Sequence, residues 1–167
     1  VYDYSLWQLR TQLATIPVAG LVAGFAGFLF GFPALRLSGV YLALATFSLA
    51  VIVPSVAVAF SSFGGTGGIL AGPTTSPFDA LNADEYLYYV TWGCVAILYL
   101  LAFAFLAGKR GRALRAIREN ELAATASGVS LARYKTMAFG VAAFYAGVAG
   151  SLFTLLQFGV TPGTFLF

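Results

Sequence analysis

Apolar residues run along this chain in long blocks, not at the short period of a half-buried strand or a surface helix. Charge-free stretches extend from Thr11 to Leu35, Leu37 to Phe78, Tyr86 to Gly108 and Thr136 to Phe167. A bilayer core about 30 Å thick takes ~20 apolar residues of helix, so each stretch can hold a span. The pattern predicts four helical spans, over roughly 13–34, 39–60, 86–107 and 136–158. Pro54 lies inside the second and predicts a kink or an end there, because proline removes a backbone hydrogen bond. Broken helices can also line transport pathways.

Small residues mark two of the spans. The first contains Ala19, Ala23, Gly27 and Gly31 at four-residue spacing, beside Gly20 and Gly24. The fourth contains Ala143-x-x-x-Gly147 and Ala146-x-x-x-Gly150. Such ridges let helix backbones approach closely in lipid, where packing replaces the hydrophobic drive. The third span has no such ridge and is expected to face lipid more.

Composition supports this reading. Of 167 residues, 60% are hydrophobic and 9% charged, against roughly 25% charged in soluble domains. Mean hydropathy is +0.88. The expected fold class is an all-α polytopic transmembrane helical bundle. The first apolar stretch is too long for a signal-peptide core and is followed by further spans. The chain begins at Val1 and ends at Phe167 after Thr161-Pro162-Gly163-Thr164. It is therefore read as a fragment of a longer protein lacking both ends, with the span count a lower bound. Residues 1–167 are taken as one partial transmembrane domain, with 109–135 a loop within it. The single cysteine, Cys94, excludes an intramolecular disulfide, and the absence of histidine excludes imidazole chemistry. Neither a metal site nor a cofactor site is expected.

Charge then fixes an orientation. Lys109 to Lys135 holds nine of the fifteen charges, seven of them Lys or Arg. The loop between the second and third spans has no basic residue but contains Asp79, Asp84 and Glu85. The positive-inside rule puts 109–135 in the cytoplasm and Ser61–Glu85 outside. Arg36 falls on the cytoplasmic side by span parity. Tyr2, Tyr4 and Trp7 before the first span, and Tyr86, Tyr88, Tyr89 and Trp92 entering the third, fit interfacial belts in contact with membrane lipid. The net charge of +3 is thus a matter of topology, with no nucleic-acid partner implied.

Three constellations carry candidate chemistry. Ser61-Ser62-Phe63-Gly64-Gly65-Thr66-Gly67-Gly68-Ile69 resembles a phosphate loop but lacks the required lysine. Gly67 and Gly68 remain either a plain turn or part of a substrate vestibule. The acids Asp79, Asp84 and Glu85 read as a solvated loop. In the second span, Thr46 and Ser48 either line a substrate path or bond back to their own helix carbonyls. No charged residue lies within a predicted span, which disfavours an ion-coupled carrier, and no catalytic pair supports a membrane-embedded enzyme. A simple membrane anchor needs fewer spans.

The basic island is more specific. Arg112 to Ser127 consists of helix formers, with Leu114, Ile117 and Leu122 spaced to share an apolar flank. Arg115 and Glu119, and Arg118 and Glu121, are spaced to pair along a helix. Gly128 suits the left-handed residue that ends a helix, and Ser130 suits a cap on the next. The expected element is a helix, a glycine turn and a second helix that runs into the fourth span. A solvated loop would explain the basic residues; a docking element also explains the helix–glycine–helix order.

Glu121-Leu122-Ala123-Ala124-Thr125-Ala126-Ser127-Gly128 resembles the cytoplasmic Glu-Ala-Ala loop of ABC importer permeases, with Leu122 set into the motif. The longer string from Gly111 to Ala124, continued by Gly128-Val129-Ser130-Leu131-Ala132-Arg133-Tyr134-Lys135, resembles the branched-chain amino-acid permease family, its LivM-type subunits in particular. Pro33–Thr46 resembles that family's Leu-Arg-Leu-x-Gly-x-Tyr stretch, Thr66–Ile69 its glycine-rich outer loop, and Thr161–Phe165 its Ser-Pro-x-x-Phe stretch. Family members often carry a Glu and an Arg where this chain has Ala50 to Val56. The resemblance implies a bacterial inner-membrane permease that is not itself an enzyme. Its implied partners are a second permease subunit, cytoplasmic ATPase subunits and an extracytoplasmic substrate-binding protein. Arg112, Arg115, Arg118, Glu119, Glu121 and Gly128 would then form the ATPase-coupling element. Branched-chain amino acids are the expected substrates; urea or short-chain amides are the alternative within the family.

Overall fold

The computed structural model describes residues 2–34, 40–59, 69–70, 82–157 and 159–160. They form α1 (Tyr2–Ala34), α2 (Val40–Ala59), α3 (Ala83–Ala107), α4 (Lys109–Glu119), α5 (Glu121–Ala126) and α6 (Leu131–Leu156). Two-residue strands β1 (Ile69–Leu70) and β2 (Gly159–Val160) pair antiparallel. Stretches of α1 (Leu13–Pro33), α3 (Asp84–Ala107) and α6 are long and apolar enough to cross a membrane, and α2 adds a shorter apolar stretch, Val40–Val56. The chain is a multi-pass, all-α membrane bundle.

Several boundaries differ from expectation. α1 is already helical at Tyr2, so the aromatic segment continues the helix instead of preceding it. The helix passes Pro17 and ends one residue after Pro33. α2 also continues through Pro54 to Ala59, so that proline does not end the span. The hydroxyls of Thr46, Ser48 and Ser55 donate to carbonyls three or four residues earlier in α2. α3 begins at Ala83, which places Asp84 and Glu85 in its first turn, not in a loop. The Asn82 N–H donates to the Glu85 carboxylate at 3.2 Å, and acids there also suit the positive end of the helix dipole.

The dominant packing is between α1 and α6, which run antiparallel. A methyl group built on Gly20 would lie 2.7 Å from Val148 Cγ2, and one on Gly147 2.7 Å from the Ala19 carbonyl oxygen. On Gly31 it would lie 3.0 Å from Thr136 Cγ2, and on Gly27 it would overlap the Ala143 methyl. The contact line on α1 is thus Gly20, Gly24, Gly27 and Gly31, stepping by four, three and four. A strict four-residue ridge drifts around a helix with 3.6 residues per turn, yet Ala19 and Ala23 still meet α6, both at Gly147. Of the two small-residue pairs in α6, Ala143/Gly147 faces α1; Gly150 faces open space.

α3 joins this pair at one end. Ile16, Val148 and Leu152 form a buried cluster, against which Val90, Cys94 and Leu98 of α3 pack. The Tyr145 hydroxyl donates to the Leu98 carbonyl at 2.7 Å, linking α6 to α3. The rest of α3 turns Tyr88, Tyr89, Trp92, Tyr99 and Phe103 outward, as the missing small-residue ridge leads one to expect. Tyr88 stacks edge-on against Tyr89 and Trp92, an aromatic group at the end where the helix enters the membrane. Among the described residues, α2 makes no substantial contact with any other element. Its Val40, Tyr41, Phe47 and Val53 face outward.

Candidate functional site

The basic island folds as two helices, not one. α4 leaves α3 through Gly108, whose extended backbone (φ −80°, ψ −171°) reverses nothing but redirects the chain. The corner closes on Gly111, where an added Cβ would overlap the backbone of Leu106. Only a residue without a side chain lets α4 cross that close to the end of α3. The Arg115 guanidinium donates to the Leu106 carbonyl at 3.3 Å, one of the carbonyls the end of α3 leaves without a partner in its own helix. Arg110 lies over the Phe105 ring at 5.9 Å from its centre, within cation–π range.

The break between the helices is at Asn120, which serves both. Its N–H donates to the Ala116 carbonyl at 3.0 Å and ends α4. Its side-chain oxygen accepts from the N–H groups of Leu122 (2.9 Å) and Ala123 (3.1 Å) and starts α5. Asparagine is among the best residues for this role because its short carboxamide reaches the first free amides. Its extended backbone (φ −156°, ψ 113°) turns the axis. Ile117 and Ala124 are buried, and Leu114 is half-buried. Leu122 does not share their flank: the turn at Asn120 carries it outward, and it is 83% exposed.

α5 ends in a Schellman motif. Gly128 has φ +84°, and its N–H donates to the Thr125 carbonyl at 2.9 Å. The Val129 N–H donates to the Ala124 carbonyl at 3.0 Å. The left-handed backbone costs glycine little and any L-residue with a Cβ considerably more. Ser130 takes the N-cap position of α6, although its side chain makes no cap hydrogen bond.

Charges in the element pair differently from the helical spacing. Among the described residues the one ion pair is Glu121 with Lys135, at 2.7 Å, joining α5 to α6. Neither Arg115–Glu119 nor Arg118–Glu121 forms, the second because the break at Asn120 takes the two residues off a common helix. Arg112, Arg118 and Glu119 are exposed along α4. The element therefore brings together Arg115 with α3 and Glu121 with α6, and leaves Arg112, Arg118 and Glu119 on the outside.

The other candidate residues lie elsewhere. Thr46 and Ser48 are exposed on α2, where Thr46 donates to the Leu42 (3.1 Å) and Ala43 (2.9 Å) carbonyls and Ser48 to that of Leu44 (2.8 Å). Gly67 and Gly68 lie outside the described residues; the chain just beyond them, Ile69–Leu70, pairs with Gly159–Val160 at the far end of α6 from the basic element. Among the described residues no group of three or more His, Cys, Asp or Glu side chains is placed to hold a metal. Gly111, Asn120 and Lys135 are the residues that sequence reasoning missed. An asparagine directly before Glu-Leu-Ala-Ala carries a cap signal, and a glycine in a run of helix formers signals a close approach. The fourteen-residue reach from Glu121 to Lys135 carries no local signal.

A model of the branched-chain amino acid transport system permease component family matches residues 2–167. The chain belongs to this family. It is 36% identical over 177 aligned residues to the high-affinity branched-chain amino acid transport system permease protein LivM of Escherichia coli (strain K12). It is 35% identical to the LivM of Salmonella typhimurium (strain LT2). Each alignment covers 91% of this chain but 42% of the relative, so this permease chain spans about two fifths of their length. No solved structure matches it with significance.

Proposed function

We propose that residues 1–167 are part of one transmembrane domain of an ABC importer permease, and that the importer carries branched-chain amino acids. The relatives transport those solutes by name, and no charged side chain lies in α2 or between 13 and 33, 86 and 107 or 136 and 156, which argues against an ion-coupled carrier. ATP is hydrolysed by a separate cytoplasmic subunit that docks on α4 and α5. A second permease subunit completes the pathway, and a substrate-binding protein delivers solute from outside. Gly31 of α1 packs on Thr136 of α6, so the end of α1 that leads to Arg36 lies beside the basic element. The positive-inside rule supports the cytoplasmic side of a bacterial inner membrane for this whole end.

The observation that carries the reading is the way α4 and α5 are held. A partner pushing on this element moves α3 through the Gly111 corner and the Arg115 bond. It moves α6 through the Glu121–Lys135 pair, and α1 follows α6 because their backbones are in contact. A loop without caps would absorb the same push.

The test uses the full-length permease reconstituted with its partner subunits in proteoliposomes. Gly128→Pro forces φ from +84° to about −65° and should release the ATPase and abolish ATP-driven leucine uptake. Retention of both by this variant contradicts the docking assignment. Uptake of urea in place of leucine by the unaltered complex contradicts the substrate.

A further inference from the structure

Leu122 is the only large apolar side chain among the described residues that is exposed outside the membrane helices. At 83% it is also more exposed than any on those helices, where Val40 reaches 73%. On the spans such exposure is met by lipid; on this polar element lipid does not cover it. The position is also built. The Leu122 N–H is held by the Asn120 side chain, the preceding Glu121 is tied to Lys135, and Thr125 and Ser127 bond back onto α5. A leucine on a floppy loop could fold away, whereas this one is fixed outward.

We infer that Leu122 is the apolar anchor by which this chain docks on its ATPase, entering an apolar socket rimmed by acidic side chains. The inference rests on the docking reading of α4 and α5. Charge supplies the rim: exposed Arg112 and Arg118 lie in the helix leading to the anchor, in an element with seven basic and two acidic residues. Interface cores favour large apolar side chains while charges sit at the edge. A bilayer surface is the poorer occupant, because an interfacial helix needs a broad exposed apolar face. Here Gly111, Ile117 and Ala124 are turned inward, and one leucine is left. Arg115 and Glu121 change role accordingly: they are positioning residues, bonded to α3 and α6, that hold the anchor in place.

The test compares ATPase binding by full-length permease complexes carrying Leu122→Asp, Leu122→Met or Gly128→Pro. Losing a buried leucine should weaken binding about tenfold or more in Leu122→Asp, while Leu122→Met stays within about threefold. Because the side chain is exposed, the membrane yield of either variant should be unchanged. If Gly128→Pro releases the ATPase and Leu122→Asp does not, docking stands and the anchor is wrong. If neither variant weakens binding, both readings fall. A polarity-sensitive fluorophore on Leu122→Cys, in a background with Cys94→Ser and any other cysteine of the full-length protein replaced, should shift to the blue when ATPase is added in detergent. A shift that appears only on transfer into lipid nanodiscs overturns the proposal in favour of the bilayer.

Discussion

Between α1 and α6 the glycines of α1 bring its backbone close enough to meet α6 directly: Gly20 lies on Val148 and Phe144, Gly24 on Phe144 and Gly140, Gly27 on Ala143 and Gly31 on Thr136. Between α4–α5 and the spans the connection is polar: a guanidinium on a carbonyl, an asparagine cap, one ion pair and a left-handed glycine. Both regions fix two pieces of chain relative to each other, in different solvents. In lipid no apolar area is gained by burying leucine against leucine, so close approach and dispersion must supply the attachment. At the aqueous end, caps and charge-assisted hydrogen bonds give direction, and each is individually weak. The first region can therefore be broken by adding a few atoms. The second loses stiffness by degrees.

The largest expected effect belongs to the close approach. Gly27→Leu should cost the full-length protein about 3 kcal/mol, seen as a lower unfolding midpoint in detergent, because its side chain meets Ala143. Gly150→Ala, on the same helix pair but facing open space, should be neutral or stabilise by under ~1 kcal/mol. Equal losses in the two variants would remove the distinction between a packed face and a free one.

Asn120→Ala is the intermediate case. Loss of a cap that holds two amides should cost about 1 kcal/mol, confined to α5. Amide hydrogen exchange should speed up at Leu122 and Ala123 and stay unchanged along α1 and α6. Global destabilisation would show that α5 is part of the bundle core.

The smallest effect is expected at the ion pair. Glu121 and Lys135 are partly exposed, so Lys135→Met should cost no more than about 0.5 kcal/mol of stability, less at high salt. The same variant should lower leucine uptake per ATP hydrolysed, since α5 loses its link to α6. A large loss of stability with unaltered coupling would assign the pair a purely structural role.

Much of the fold was legible because the apolar blocks are long. α2, α3 and α6 fall within a few residues of the spans the sequence predicts, and Gly128 has the backbone its place in the sequence demands. The small-residue ridge of α1 was legible too: Ala19, Ala23, Gly27 and Gly31 all meet α6, with Gly20 and Gly24 beside them. Two features escaped for physical reasons. The basic island looked like one helix because its residues share high helix propensity; a single asparagine cap outweighs that propensity and turns Leu122 outward. Glu121 meets Lys135 across the turn that Gly128 makes between α5 and α6, whereas helical spacing pointed to Arg118. Of the candidate site, Arg115 and Glu121 are engaged within the molecule, and Thr46 and Ser48 bond to α2 carbonyls.

We propose the element from Lys109 to Lys135 as the place where a cytoplasmic ATPase meets this permease. Hydrogen exchange of the full-length permease, with and without its ATPase subunits, tests it most directly. Added ATPase should slow exchange across the amides of α4 and α5, most strongly from Arg118 to Gly128. Exchange along the α1–α6 contact, at Gly20 to Gly31 and Thr136 to Leu152, should not change. Protection elsewhere in the chain, with none in α4 and α5, would contradict the account.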